Sequence, residues 1–177
     1  DDNDTSQTTL CDSLYYTETD FVDLINAEKI QNSHNLTIIS LNIANIFSKL
    51  RSFKVFLNNI TTTKNKPDVI IVVETHISET KNAGYTAVEL QNIIPGYTFI
   101  HRGRKCKNGG GVGVFISKEL NSEPEVLQLA SFKEESFENI TIQIPNLIST
   151  NQNNRKKNLI IAAVYRQPRD TNHNVFA

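Results

Sequence analysis

The sequence predicts an α/β (α+β) fold with a β-rich centre, and three features of the chain predict it. Residues 36–41 form a β-branched and aliphatic run, an amphipathic helical stretch follows, and a second apolar run occupies residues 69–73. A strand, a helix and a strand in this order imply a parallel crossover connection. From residue 97 onwards several stretches have strand character, so strands are expected to outnumber helices.

Length, charge and composition are those of one soluble globular domain. The chain has 177 residues and a formal net charge of −1, which argues against binding nucleic acid by bulk electrostatics, so any such contact is expected to be local. No apolar run approaches the roughly 18 residues of a membrane helix, and no secretory signal is present. We therefore expect an intracellular protein without a membrane partner. Cys11 and Cys106 lie outside any metal-ligand spacing and are expected to be free thiols.

The chain is predicted to divide into a leader, residues 1–35, and a domain, residues 36–177. Residues 1–13 are polar and aperiodic, which is typical of disorder. A short helix is expected after them, because Thr17 or Thr19 can cap it and an apolar stripe follows. In the domain, the first strand stops at Asn42 and the second delivers Glu74. Between them an apolar helical face covers the sheet, formed by Leu50, Phe53, Phe56, Leu57 and Ile60.

The later elements are predicted to be strands joined by polar turns. The expected elements are a strand over 97–102, a glycine-rich basic loop, its hairpin partner over 112–117, an alternating strand over 140–144, a polar loop over 149–157 and a strand over 159–165. The tail, residues 166–177, shows no periodicity.

Polar side chains follow three of the apolar strands: Asn42, Glu74 and Tyr165. Each strand could simply end in a polar residue, but in α/β sheets the strand ends are where functional sites collect. A carboxylate beside an amide oxygen is a plausible cradle for Mg²⁺, which completes its shell with water and phosphate oxygens. A nearby tyrosine hydroxyl could hydrogen-bond a non-bridging phosphate oxygen.

Four cations occur within six residues beside the glycine loop: Arg102, Arg104, Lys105 and Lys107. They are predicted to contact DNA phosphates, and the alternative is a solvated hairpin tip. Residues 109–113 lack the following Lys-Ser/Thr of a phosphate-binding P-loop, so their glycines are expected to permit a bulge or close strand packing. Four histidines are candidate general bases by residue type alone and none is assigned a role: His34, His76, His101 and His173.

Five motifs in order resemble the endonuclease domain of non-LTR retrotransposons, a branch of the endonuclease/exonuclease/phosphatase superfamily. They are SLNI at 40–43, PDVIIVVET at 67–75, IPGY at 94–97, GGGVGV at 109–114 and VYRQP at 164–168. The leader segment CDSLYYT at 11–17, with Phe21, is similar to the segment that precedes this domain in such polyproteins. The resemblance extends over residues 11–168.

The resemblance implies a four-layer α/β/β/α sandwich, truncated at its C-terminal side, that nicks DNA with Mg²⁺ (Mn²⁺ possible) and no small-molecule cofactor. It implies that Glu74 is the metal ligand, Asn42 its partner in the metal and phosphate site, and Tyr165 a phosphate contact. Arg166, in the same motif as Tyr165, is grouped with the nucleic-acid-binding residues. A reverse transcriptase domain in cis and action in the nucleus are further implications.

Departures from the family pattern shape the functional expectation. Ala44 stands where the family usually has Arg, and His76 where it commonly has Trp. The family's Asp-x-Asn strand and terminal Asp-His pair lie downstream of VYRQP, and Asp170-Thr171-Asn172 is predicted to be a turn. The chain alone is therefore expected to be inactive. Two alternatives stay open: a non-catalytic, decayed retroelement fragment with residual nucleic-acid binding, and a lipid phosphatase or exonuclease of the same superfamily.

Overall fold

The computed structural model describes residues 36–61, 66–78, 84–104, 109–128, 137–150 and 155–166, together with Thr19, Asp20, Asp23, Leu24 and Ala27. These five leader residues have helical backbone and are exposed. The two cysteines, His34, His173, Lys105, Lys107 and the turn predicted at 170–172 lie outside the described residues. In the described part of the chain, no helix has the length and apolar composition that crossing a membrane requires.

Two helices and seven strands are described. In chain order they are β1 (Ile38–Asn42), α1 (Ile46–Thr61), β2 (Val69–Val73), α2 (Ala87–Gln91), β3 (Tyr97–Arg102), β4 (Val112–Ser117), a 3-10 turn (Lys118–Leu120), β5 (Glu125–Leu127), β6 (Phe137–Thr150) and β7 (Arg155–Arg166). Helix α2 is too short for a periodic signal. It forms because Thr86 and Glu89 make a capping box at its start.

The first sheet has the strand order β1-β2-β4-β3. β1 and β2 are parallel, as the strand-helix-strand order predicts, and β4 pairs antiparallel with both β2 and β3. One face of this sheet is covered by α1, whose Phe53 ring lies 5.7 Å from the ring of Phe115 on β4. The predicted helical face of α1 is thus the face that packs on the sheet, with Phe53 and Leu57 fully in the core.

The second sheet, β5-β6-β7, is antiparallel and packs on the other face of the first sheet. Its inward side chains meet those of β2 and β4 in one apolar cluster that contains Ile140, Ile142, Ile144, Ile161, Val69, Val112, Val114 and Ile116. The described layers are therefore helix, sheet and sheet, which confirms a mixed α/β fold with two sheets. A second outer helical layer is not among the described residues, and on the outward face of β7 Ile160 is 56% exposed and Val164 49% exposed.

The β6–β7 hairpin is longer than predicted. Residues 149–157 are expected from sequence to be a loop, but cross-strand pairing continues to Thr150 opposite Arg155, beyond an irregularity between Ile144 and Ile148. Strand pairing is made by main-chain groups, so the polar residues 149–150 and 155–157 can pair without giving a hydrophobic signal in the sequence. The loop prediction is therefore wrong at 149–150 and 155–157, and residues 151–154 lie outside the described residues.

Candidate metal and phosphate site

The carboxyl ends of β1 and β2 meet at one edge of the first sheet because these strands are parallel. Asn42, the last residue of β1, lies opposite Val73, and Glu74 follows directly. Two main-chain hydrogen bonds join the loops that leave these strands: Asn45 N to Glu74 O at 2.8 Å and Ile46 N to Thr75 O at 3.0 Å. The start of α1 is thereby fixed to the segment that carries Glu74.

Unusual backbone conformations concentrate in these two loops. Ala44, Asn45, Glu74 and His76 have positive φ angles of 46°, 88°, 55° and 55°. For non-glycine residues such conformations cost free energy and persist only where the surrounding structure imposes them, which is frequent at functional sites. The exposed Asn42 contributes to one of them, since its Oδ1 accepts a hydrogen bond from Ala44 N at 3.0 Å.

Tyr165 connects the second sheet with the end of the first sheet that carries Asn42 and Glu74. It lies near the end of β7, and its hydroxyl donates a 2.5 Å hydrogen bond to Oε1 of Glu74, 91 positions away in the chain. Both side chains are partly buried. Two of the three residues singled out from sequence are therefore in direct contact, and the third, Asn42, is on the strand next to Glu74.

The Tyr165 phenol is held in its neutral form. Burial raises the pKa of Tyr165 to about 12, and the hydrogen bond to Glu74 and the charges of Glu74 and Glu138 act in the same direction. Arg104 opposes them. A neutral phenol retains its proton near pH 7, so Tyr165 can donate to a carboxylate or to a phosphate oxygen.

We expect the phenol of Tyr165 to titrate near pH 12, as measured by phenolate absorbance of the native chain minus that of Tyr165→Phe. Because the folded state favours the neutral phenol, its contribution to stability is complete below the ordinary pKa of about 10 and is lost as pH rises to the folded value. Glu74→Gln should lower this pKa by removing the nearby negative charge. A Tyr165 titration that is unaltered in Glu74→Gln would contradict the contact.

The sequence predicts that Arg104 contacts DNA at the surface. The structure corrects this prediction, because Arg104 is buried. Its side chain is 2% exposed, and its Nε donates to Oε1 of Glu138, which is 1% exposed. Arg104 follows β3 of the first sheet and Glu138 lies on β6 of the second, so the pair bridges the two sheets. Sequence reasoning overlooked Glu138, although it lies two residues before Ile140 and four before Ile142, which places it on the inward face of β6, where a carboxylate needs a cation.

The other predicted nucleic-acid contacts have different positions. Arg102 is exposed at the end of β3, and Arg166 is partly buried at the end of β7 beside Tyr165. Lys105 and Lys107 lie outside the described residues. Of the four cations predicted to form this cluster, the structure describes two, and of these Arg102 is exposed and Arg104 is buried.

The described histidines differ in environment. His76 is partly buried in the loop after Glu74. His101 stacks on Phe99 with ring centroids 5.3 Å apart, and burial lowers its pKa. Its Nδ1 atom is buried without a hydrogen-bond partner. These surroundings hold the His101 imidazole neutral inside the fold.

The donor set around Glu74 fits a hard cation that retains water. Within the described ranges no three His, Cys, Asp or Glu side chains group closely enough to form a protein-built metal cage. One carboxylate and one amide oxygen are the donors that Mg²⁺ takes when phosphate and water complete its octahedral shell. Asn42 and Glu74 supply these two groups from adjacent strand ends.

Comparison with known proteins gives structural neighbours only. No family model and no curated protein matches the chain. The AP endonuclease LMAP from Leishmania major is similar over 72% of this chain and 39% of its own, with 14% identity and a TM-score of 0.49. The 3′ phosphatase NExo from Neisseria, bound to a product DNA hairpin, is similar over 62% and 38%, with 18% identity and a TM-score of 0.40.

A 3′-5′ exonuclease structure of NExo from Neisseria meningitidis is similar over 60% of this chain and 37% of its own, with 18% identity and a TM-score of 0.38. The chain spans less than two fifths of the length of each of these proteins. Likeness of this extent establishes neither a family nor an activity.

Proposed function

We propose that this chain is the metal-binding part of a divalent-metal-dependent phosphodiesterase of the endonuclease/exonuclease/phosphatase type that acts on DNA. The contact between Tyr165 and Glu74 is the observation that supports it best. A partly buried carboxylate held by a neutral phenol, in loops of unusual backbone conformation, is the arrangement expected of a ligand held in place for chemistry.

In this proposal each side chain has one role. Glu74 holds Mg²⁺ through its carboxylate, and Asn42 supplies an amide oxygen or an amide donor to the same metal and phosphate site. Tyr165 orients the Glu74 carboxylate by donating its hydroxyl proton to it, and when phosphate binds, the same proton is donated to a non-bridging phosphate oxygen instead. When bound, the ion acts as a Lewis acid that neutralises charge developing on the phosphodiester.

DNA is the proposed partner, and the proposed parent is a retroelement polyprotein with a reverse transcriptase in cis that acts in the nucleus. The five ordered motifs support the parent, and the exposed Arg102 at the end of β3 supports contact with a phosphate backbone. Arg166 is proposed to contribute next to Tyr165, and Lys105 and Lys107 from the loop between β3 and β4. Such contacts position the nucleic acid and do not read its sequence.

Removal of the Glu74 carboxylate is expected to weaken Mn²⁺ binding by about tenfold or more, because a ligand charge is lost. Mn²⁺ affinity of the native chain and of Glu74→Gln, measured by water-proton relaxation, tests this. Tyr165→Phe should weaken binding to a smaller extent, since it removes only the hydrogen bond to the ligand.

Asp68→Asn is the matched control. Asp68 immediately precedes β2 and Glu74 immediately follows it, so the two carboxyl groups lie at opposite ends of one strand. Asp68 accepts a hydrogen bond from Thr37 N at 2.7 Å, which an Asn side chain can retain. Equal Mn²⁺ affinity in the native chain and Glu74→Gln would refute the metal assignment.

A further inference from the structure

The buried carboxylate of Glu138 does more than neutralise Arg104. One oxygen accepts a hydrogen bond from Arg104 Nε, and the other accepts from the main-chain N–H of Gly111. Glu138 therefore connects a guanidinium at the end of β3 with the glycine segment 109–111 that leads into β4. Glu138, which belongs to the second sheet, therefore fixes one side of the glycine segment.

The opposite side of the glycine segment contacts the backbone that directly follows the proposed ligand. Gly110 O accepts from His76 N at 2.7 Å, and Gly111 O accepts from Thr75 N at 3.2 Å. Thr75 and His76 are the two residues after Glu74, and Glu74 and His76 both have positive φ. The glycine segment is thus the surface against which the unusual backbone after β2 is held.

The structure leaves no room for a side chain at Gly110 or at Gly111. A Cβ atom at Gly110 would collide with the Arg104 guanidinium and the Glu138 carboxylate, and one at Gly111 would collide with Thr75 Oγ1. Gly110 and Gly111 also have φ angles of 67° and 90°, which disfavour other residues. The main-chain atoms of Gly110 and Gly111 therefore set the distance between the buried Arg104–Glu138 pair and the loop that follows Glu74.

The two residues that hold the Glu74 region, Glu138 and Tyr165, form one cross-strand pair. Glu138 on β6 lies directly opposite Tyr165 on β7, so the two side chains emerge on the same face of the second sheet. Tyr165 donates to the Glu74 carboxylate. Glu138 accepts a hydrogen bond from Gly111 N, and Gly111 and Gly110 accept hydrogen bonds from the main-chain N–H groups of Thr75 and His76, the two residues after Glu74.

We propose that Arg104 and Glu138 are positioning residues for Glu74, acting through the glycine segment to set the backbone from which the metal ligand projects. The inference rests on the proposed function of Glu74. A purely structural role for the pair predicts that metal affinity follows global stability. A positioning role predicts that the two properties separate.

The double variant Arg104→Leu/Glu138→Leu separates them, because removing both partners of a buried pair leaves no uncompensated charge and can preserve stability. Amide hydrogen exchange at Thr75 and His76, measured by NMR without metal, should accelerate by about tenfold, while Val72 within β2 keeps its protection. Mn²⁺ affinity should fall by about tenfold, the usual effect of losing an outer support of a ligand. Glu138→Asp keeps the negative charge beside Arg104 but shortens the reach to Gly111 N, so it should shift both readouts in the same direction and covers the case in which the double variant fails to fold.

Lys66→Ala/Glu119→Ala removes a solvent-exposed ion pair and serves as the control, with neither readout expected to change. Native exchange at Thr75 and His76 together with native Mn²⁺ affinity in a folded Arg104/Glu138 variant would overturn the positioning role and leave the proposed function intact. Mn²⁺ binding by the native chain that does not depend on Glu74 would instead contradict the proposed function, and the positioning role with it.

Discussion

Substitution of Glu138 by Gln is expected to lower the free energy of unfolding by about 3–5 kcal/mol, a large part of the about 5–15 kcal/mol typical of a domain. The substitution removes the negative charge beside Arg104, whose side chain is 2% exposed. A guanidinium cannot deprotonate at accessible pH, so the buried charge is left without compensation. Urea unfolding followed by circular dichroism measures the difference.

Glu119→Gln is the matched substitution at the surface. Glu119 pairs with Lys66 at 3.4 Å, and both side chains are exposed, so its loss should cost no more than about 1 kcal/mol. Adding Arg104→Leu to a Glu138→Leu chain should recover most of the stability that Glu138→Leu alone loses. Equal, small losses for Glu138→Gln and Glu119→Gln would show that Arg104 has another counter-charge or access to water.

A protein of these 177 residues is expected to nick supercoiled plasmid DNA with Mg²⁺ at no measurable rate. Phosphodiester hydrolysis requires the metal, an oriented water and a stabilised leaving group together, and groups that act as a unit lose nearly all activity when one is absent. In the proposed function, Glu74, Asn42 and Tyr165 provide for the metal and the phosphate, and no described residue is assigned to the attacking water or the leaving group.

Conversion of supercoiled to open-circular plasmid, followed on agarose gels, measures the rate, and Glu74→Gln reports any contaminating nuclease. Nicking that is present in the native chain and absent from Glu74→Gln would show that these residues suffice for catalysis. Mn²⁺ binding without nicking agrees with the proposal. Duplex binding with neither metal binding nor nicking would favour the non-catalytic alternative.

Short apolar runs predict the two central strands. β2 and β4 are buried on both faces, and their predicted bounds are the observed ones, because an apolar run of five or six residues between turn residues is too short for a buried helix. Helix α1 begins at Ile46, about one turn before the predicted apolar stripe, because Oδ1 of Asn45 accepts hydrogen bonds from the main-chain N–H groups of Phe47 and Ser48. Such local capping contributes no hydrophobic signal.

The candidate site likewise has a part that the sequence predicts and a part that it does not. A strand that ends at Asn42, and a strand followed at once by Glu74, place these residues at one sheet edge as soon as the crossover is parallel. A single short crossover connection is enough to place the ends of two parallel strands side by side. The sequence could therefore propose the metal ligand, its partner and Tyr165 as strand-end residues, but not the contact between Tyr165 and Glu74.

By itself the sequence determined the α/β class, the parallel crossover and the strand-end position of Asn42 and Glu74, because these depend on periodicity and short connections. Only the tertiary structure decided which groups meet across the two sheets. Arg104 looks like one of four surface cations in sequence, yet it is buried against a carboxylate 34 positions away. Tyr165 likewise meets Glu74 across 91 positions. Contacts at such separations depend on how the sheets pack, and no local pattern of residues encodes that packing.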